Sequence, residues 1–190
     1  MRLGLFGGSF DPVHLGHLLV AQAAMEEMGL DRLYFIPAAQ SPFKPGTVPA
    51  PASERLRLLR LAMAGRVRYL VDEQEIQRGG PSYTIETVHD YRKRFPEATL
   101  FYLIGADHIA LLPKWREAEE LAELVEFLII PRPGEAPGVL NPPFRQHLLR
   151  GFPLGVSSSQ IRERIQAGLP INGLVPRAVA EAIGNNRLYL

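Results

Sequence analysis

The sequence predicts an α/β protein, a doubly wound parallel sheet with helices on both of its faces. Three observations point there. Short, nearly continuous apolar runs such as "RLGLF" and "TLFYLIG" read as strands buried on both sides. They alternate with segments of helical periodicity. The chain's 190 residues, 46% of them hydrophobic and 22% charged, suffice for a core that needs no metal or disulfide staple.

In chain order, "RLGLF" (2–6) is a strand and "LGHLLVAQAAMEEMG" (15–29) a helix ending at Gly29. "RLYFIP" (32–37) is a second strand, stopped by Pro37 and followed by a long Pro-rich loop over 38–52. Loops of that length are commonly functional. The helix over 53–65 takes Ser53 as its N-cap, with Gly65 past its end. A strand is expected at 67–71, a helix with a polar cap over 82–95, and strands at 99–105 and 124–130. Residues 131–147 read as a loop. Helices close the chain at 157–168 and 176–184, the latter with Pro176 in its first turn. This alternation makes the fold class Rossmann-like.

Composition narrows the chemistry. With no cysteine, disulfides, thiolate nucleophiles, zinc ribbons and iron–sulfur clusters are excluded. A net charge of +1, from 21 basic against 20 acidic residues, gives no basis for a nucleic-acid partner. No segment is long and apolar enough to span a membrane, and the start has no signal-peptide pattern. A cytoplasmic enzyme with no membrane partner is the expectation, and a homo-oligomer is left open.

The first chemical signal is "GGSFDPVHLGH" (7–17), directly after the first strand. In a doubly wound sheet, ligands bind beyond the carboxyl ends of the strands, where this stretch lies. Gly7 and Gly8 let the backbone approach a ligand closely, and successive N–H groups there can point at phosphate oxygens. His14 and His17, three residues apart, share one face at the positive end of a helix. Neither GxxxxGK[ST] nor GxGxxG is present. A metal site built on the pair needs further ligands, and His89, His108 and His147 show no HExxH-type spacing. The second signal is "VSSSQIRERI" (156–165). Ser157 and Ser158 can cap a helix while meeting phosphate, and Arg162, one turn in, carries a forked head suited to it.

"SFDPVHLGH" resembles the mark of the nucleotidylyltransferase superfamily, and "VSSSQIR" is similar to its ISSTxIR segment, with Val156 for Ile and Ser159 for Thr. Further segments resemble the bacterial nicotinate mononucleotide adenylyltransferase family nearly end to end: "SYTIETV" (82–88), "LIGADHIALLPKW" (103–115) and the tail over 174–189. The resemblance implies one nucleotidylyltransferase domain over 1–190, with a helical part from about 157 packed on it. It implies adenylyl transfer from ATP to nicotinate mononucleotide, giving deamido-NAD and pyrophosphate, with Mg²⁺ carried mainly on the ATP phosphates.

By the same resemblance, His14, His17, Lys44 and Arg162 are the catalytic candidates. ATP is assigned to Gly7, Gly8, Ser9, Phe10, His17, Gly105, Asp107, Ser157, Ser158 and Arg162. The mononucleotide is assigned to Ser9, Lys44, Thr84, Asp107 and Trp115, with Trp115 stacking on the pyridine ring. No protein metal site is expected. Asp107 could equally be the N-cap of a following helix. The chain departs from the family where "SPFK" (41–44) replaces PPHK, Phe43 standing in the place of a histidine. The alternatives are another acceptor, nicotinamide mononucleotide or phosphopantetheine, a non-catalytic nucleotide sensor, and a metal-dependent hydrolase built on the histidine pair.

Overall fold

A computed structural model of the chain describes residues 1–42, 48–131, 138–152 and 154–190. At its centre six strands, β1 (Arg2–Gly8), β2 (Arg32–Pro37), β3 (Tyr69–Val71), β4 (Thr99–Gly105), β5 (Glu126–Ile130) and β6 (Gln146–Leu148), form one sheet in the order β3-β2-β1-β4-β5-β6. Every pairing is parallel. The order reverses between β1 and β4, which places a crevice beyond their carboxyl ends.

Period-two alternation explains why the strands read as continuous apolar runs. Phe6, Leu33, Phe35, Phe101, Leu103 and Leu128 point to one face, where they meet α1 (Leu15–Glu27), α2 (Ala52–Met63), α6 (Ser158–Gln166) and α7 (Arg177–Asn185). Leu3, Leu5, Tyr34, Ile36, Leu100, Tyr102, Ile104, Phe127 and Ile129 point to the other. There they meet α4 (Thr84–Arg94), α5 (Ala118–Leu124) and a 3₁₀ helix (Ala106–Lys114). Both sets are buried, and each Leu, Ile or Phe so placed contributes about 1.5–3 kcal/mol. Ile161, Val179 and Ile183 belong to the first set, so the C-terminal helices share the core of β1 and α1.

The structure corrects several boundaries. β1 runs on through Gly7 and Gly8. α2 starts at Ala52 with Pro51, not Ser53, at its cap; the Pro51 carbonyl accepts the N–H groups of Glu54 and Arg55, and proline has no N–H to leave unpaired there. β3 begins at Tyr69 rather than Val67, because Tyr69 N–H closes a turn onto the Arg66 carbonyl. β5 begins at Glu126 because Val125 N–H still bonds the last turn of α5. Three elements escaped the sequence reading: α3 (Gln74–Arg78), α5 and β6. Part of the loop expected at 131–147 is β6; residues 132–137 lie outside the described set. Among the described residues, no helix is long and apolar enough to cross a membrane.

Candidate active site

The crevice is built first by the turn from β1 into α1. A Cβ on Gly7 would lie 2.2 Å from the Tyr102 hydroxyl oxygen, so only glycine lets β1 run that close to β4's side chain. Phe10 sits at φ +47, a left-handed conformation that costs of order 1–3 kcal/mol in a non-glycine residue. It is held there by burial against Phe6 at 5.4 Å, Phe35 at 5.6 Å and His17 at 5.0 Å between ring centroids. Phe10 is thus a buttress beneath the histidines.

His14 is the cap residue of α1, with extended backbone. Its N–H donates to His17 Nδ1 at 3.2 Å, and the two rings stack at 3.7 Å. Gly16, between them, faces both His14 and α6: a Cβ there would lie 2.9 Å from His14 Nδ1 and 3.0 Å from Val156 Cγ1. The spacing of the two histidines around a glycine therefore has a packing cause. It lets the start of α6 close onto the imidazoles.

Burial lowers the His14 pKa to about 4, and burial together with the neighbouring His14 holds His17 well below its ordinary value. Both rings are neutral at pH 7. Because His17 Nδ1 accepts a hydrogen bond, its proton is on Nε2, which is left as a neutral donor. The shifts fix a pH dependence. Between pH 6.5 and about 4 the unfolded chain protonates His14 and the folded chain does not, so stability rises with pH across this window and levels off above it; the lowered His17 acts in the same direction. For His14 the integrated effect is at most about 3 kcal/mol. Urea midpoints at about pH 4.5, 5.5 and 7 should show a shallower slope in His14→Gln than in the unsubstituted protein; equal slopes contradict the assignment.

The second helix start arrives over the same turn. Ser157 caps α6, its Oγ accepting Gln160 N–H at 3.2 Å while the Gln160 side chain takes the Ser157 N–H at 2.9 Å. Ser158 Oγ donates to the Pro12 carbonyl at 2.9 Å. Arg162 Nη1 donates to the Asp11 carbonyl at 2.7 Å, and its Nη2 to Ser159 Oγ at 3.2 Å. The hydroxyls of Ser157 and Ser158, expected on phosphate, are here engaged inside the protein: that of Ser157 closes the cap of α6 on Gln160, and that of Ser158 joins α6 to the turn before α1. Arg162 uses two of its five N–H donors in these bonds.

On the far side of Gly7, Thr84 opens α4 and its Oγ1 donates to the Tyr102 hydroxyl at 3.4 Å. Trp115 packs edge-on against Tyr102 and His108, both at 6.0 Å, leaving its ring part-buried. Gly105, not Asp107, is the cap of the 3₁₀ helix; Asp107 lies in its first turn, with its carboxylate folded back over Gly105. Arg116 is tied to Glu86 at 3.1 Å and lies over the Tyr83 ring at 4.8 Å. Ser82 Oγ accepts Ala39 N–H at 2.9 Å, docking the segment before α4 onto the end of β2. Lys44 and Phe43 lie outside the described residues.

Gly7, Gly8, Ser9, Phe10, His14 and His17 thus share the end of β1 with Ser157, Ser158 and Arg162, while Gly105, Asp107, Thr84 and Trp115 gather at the end of β4. Two residues were missed. Tyr102 links the two halves, being one more apolar-run residue to the sequence reading. Arg55 is fully buried under the β1 turn. Its burial follows its place on α2, where 55, 58, 59 and 62 share one face and Leu58, Leu59 and Ala62 are buried too.

At the switch point of an α/β sheet, where proteins of this class bind ligands, glycines, paired neutral imidazoles and a guanidinium from a second helix come together. Residues 5–164 match the model of the cytidylyltransferase-like family. A probable nicotinate-nucleotide adenylyltransferase of Opitutus terrae is 41% identical over 100% of this chain and 98% of its own. One from Thermus thermophilus is 43% identical over 100% of both chains. In fold, the chain is similar to the nicotinic acid mononucleotide adenylyltransferase of Plasmodium falciparum solved with NaAD. Their TM-score is 0.79 at 17% identity, over 99% of this chain and 97% of the other. The chain belongs to the cytidylyltransferase-like family and, within it, to the nicotinate-nucleotide adenylyltransferases.

Proposed function

We propose that residues 1–190, acting as one catalytic domain, transfer the adenylyl group of ATP to nicotinate mononucleotide, giving deamido-NAD and pyrophosphate. A phosphate oxygen of the acceptor attacks the α-phosphorus in line; the new P–O bond forms as the bond to the β-phosphate bridging oxygen breaks. A phosphate already carries the electron pair the attack needs, so alignment and charge stabilisation are the protein's contribution. His17 Nε2–H donates to an α-phosphate oxygen and His14 lies against the β-phosphate, both as neutral donors and not as bases. Arg162 offers its remaining N–H groups to the leaving pyrophosphate, with Lys44 placed on the same charges. The backbone of Gly7 to Phe10 seats the triphosphate, and Gly105 and Asp107 take the nucleoside side of ATP.

No cluster of three acidic or histidine side chains arranged for a metal occurs among the described residues. Mg²⁺ would enter on the triphosphate and neutralise phosphate charge there. The acceptor lies across Ser9, Thr84, Asp107 and Trp115, whose ring is partly exposed for stacking on the pyridine.

One observation carries the reading. Arg162 of α6 reaches the Asp11 carbonyl at 2.7 Å, three residues before His14, so the two motifs meet at the switch point. The test is pyrophosphate release from ATP and Mg²⁺ with nicotinate mononucleotide or nicotinamide mononucleotide, side by side. The acid form is expected to be used at least about 100-fold more efficiently, the scale on which a site rejects an analogue lacking the group it reads. By the family resemblance Thr84 and the region of Trp115 meet the nicotinate carboxylate; equal use of both forms would remove that role, and use of neither would remove the reading.

A further inference from the structure

Arg55 is a buried cation held by backbone carbonyls. Its Nη1 donates to the carbonyls of Ser9 and Ala38, both at 2.8 Å, and its Nε donates to that of Ala50 at 3.0 Å. These three acceptors come from separate places: the turn after β1, the end of β2, and the residue just before the cap of α2. Burying a guanidinium is costly unless its donors are met, and backbone carbonyls meet its Nη1 and Nε here. Asp11 completes the arrangement, its Oδ1 accepting Ala50 N–H at 3.2 Å and its Oδ2 lying 3.8 Å from Arg162 Nη1. Burial pulls the Arg55 pKa down and Asp11 pushes it back up.

The rest of the wiring is consistent with a junction and not with a generic core contact. Ala38 N–H bonds the Gly8 carbonyl at 2.9 Å, and Ala39 N–H bonds Ser82 Oγ at 2.9 Å. An aliphatic residue on the same face of α2 would fill the space but leave the Ser9, Ala38 and Ala50 carbonyls without this donor. The fixed geometry of the guanidinium matters as well. Lysine could reach the Nη1 position but has nothing in place of Nε.

We propose that Arg55 is a positioning residue for adenylyl transfer: it fixes Ala38 and Ala50, the two ends of the Pro-rich segment, against the phosphate-seating turn at Ser9. It touches no substrate and acts through the backbone it holds. The kinetic part of this inference rests on the function proposed above; the structural part does not.

The test compares the unsubstituted protein with Arg55→Lys and Arg55→Ala by amide hydrogen exchange and by steady-state kinetics. In Arg55→Lys, exchange at Ala38, Ala39 and Ala50 is expected to quicken at least about 10-fold, with amides of α4 and β5 changed less than about twofold. The kcat/KM for nicotinate mononucleotide is expected to fall about 100-fold, mostly in KM. In Arg55→Ala, added guanidinium is expected to restore at least a tenth of the lost kcat/KM, which a general packing defect would not allow. Exchange quickened evenly along the chain, unchanged kinetics in Arg55→Lys, or failure of both variants to fold would each overturn the proposal. Should the unsubstituted protein itself transfer no adenylyl group, the exchange pattern still decides the positioning role, and the functional reading fails separately.

Discussion

Replacing His17 by alanine is expected to lower kcat by a factor of about 10²–10³, the typical effect of removing one preorganised donor from a developing oxyanion. The affinity for ATP should change far less, because in the proposed arrangement the backbone of Gly7 to Phe10 and Arg162 would still hold the triphosphate. The ring's protonation state sets this expectation. His17 Nδ1 receives the His14 N–H, and burial keeps the imidazole neutral, so it supplies one directed N–H and no proton. His17→Asn, which retains a neutral N–H donor, should therefore recover part of the loss. Single-turnover rates with saturating ATP separate the cases. An unchanged rate in His17→Ala removes the residue from the mechanism, and a rate that tracks an ionisation near about pH 6.5 would make it a base.

The second large effect is expected at Arg162. Arg162→Ala should reduce kcat/KM for ATP by about 10²–10⁴, since a charged hydrogen bond contributes roughly 1.5–3 kcal/mol and the proposed role gives the guanidinium two of them to phosphate. Much of this should fall on KM, in contrast to His17. Arg162→Lys keeps the charge but not the fork: it cannot hold the Asp11 carbonyl and Ser159 while also reaching phosphate, so it should recover no more than about one tenth to one half of the loss. Equal kinetics for Arg162→Lys and the unsubstituted protein would reduce the side chain to a diffuse positive charge.

Much of this site was legible before any coordinates. β4 over 99–105 stands where the apolar run placed it, and α1 ends before Gly29 as its pattern implied, because both bury faces whose periodicity is plain in the sequence. The glycine–serine turn and the α6 cap were readable because few residue types satisfy a phosphate-seating turn or a capping box. Other parts had no such signal. α3 is five residues long and its buried member is Glu75, so apolar periodicity could not reveal it. β6 is three residues at a sheet edge, paired on one side and carrying exposed Leu148. Arg55 was hidden by its own charge: a residue type that usually faces water sits on the apolar stripe of α2. The hydroxyl of Ser158 shows a further limit. Its partner, the Pro12 carbonyl, depends on how α6 docks on a turn far earlier in the chain.

The account depends on two helix starts closing on one polyanion. A crystal structure with a non-hydrolysable ATP analogue and Mg²⁺ tests that most directly. The triphosphate should lie between the first turn of α1 and Arg162, with a phosphate oxygen about 2.7–3.2 Å from His17 Nε2 and another at that distance from the guanidinium. A triphosphate seated away from either group, with the analogue bound at full occupancy, would contradict the account.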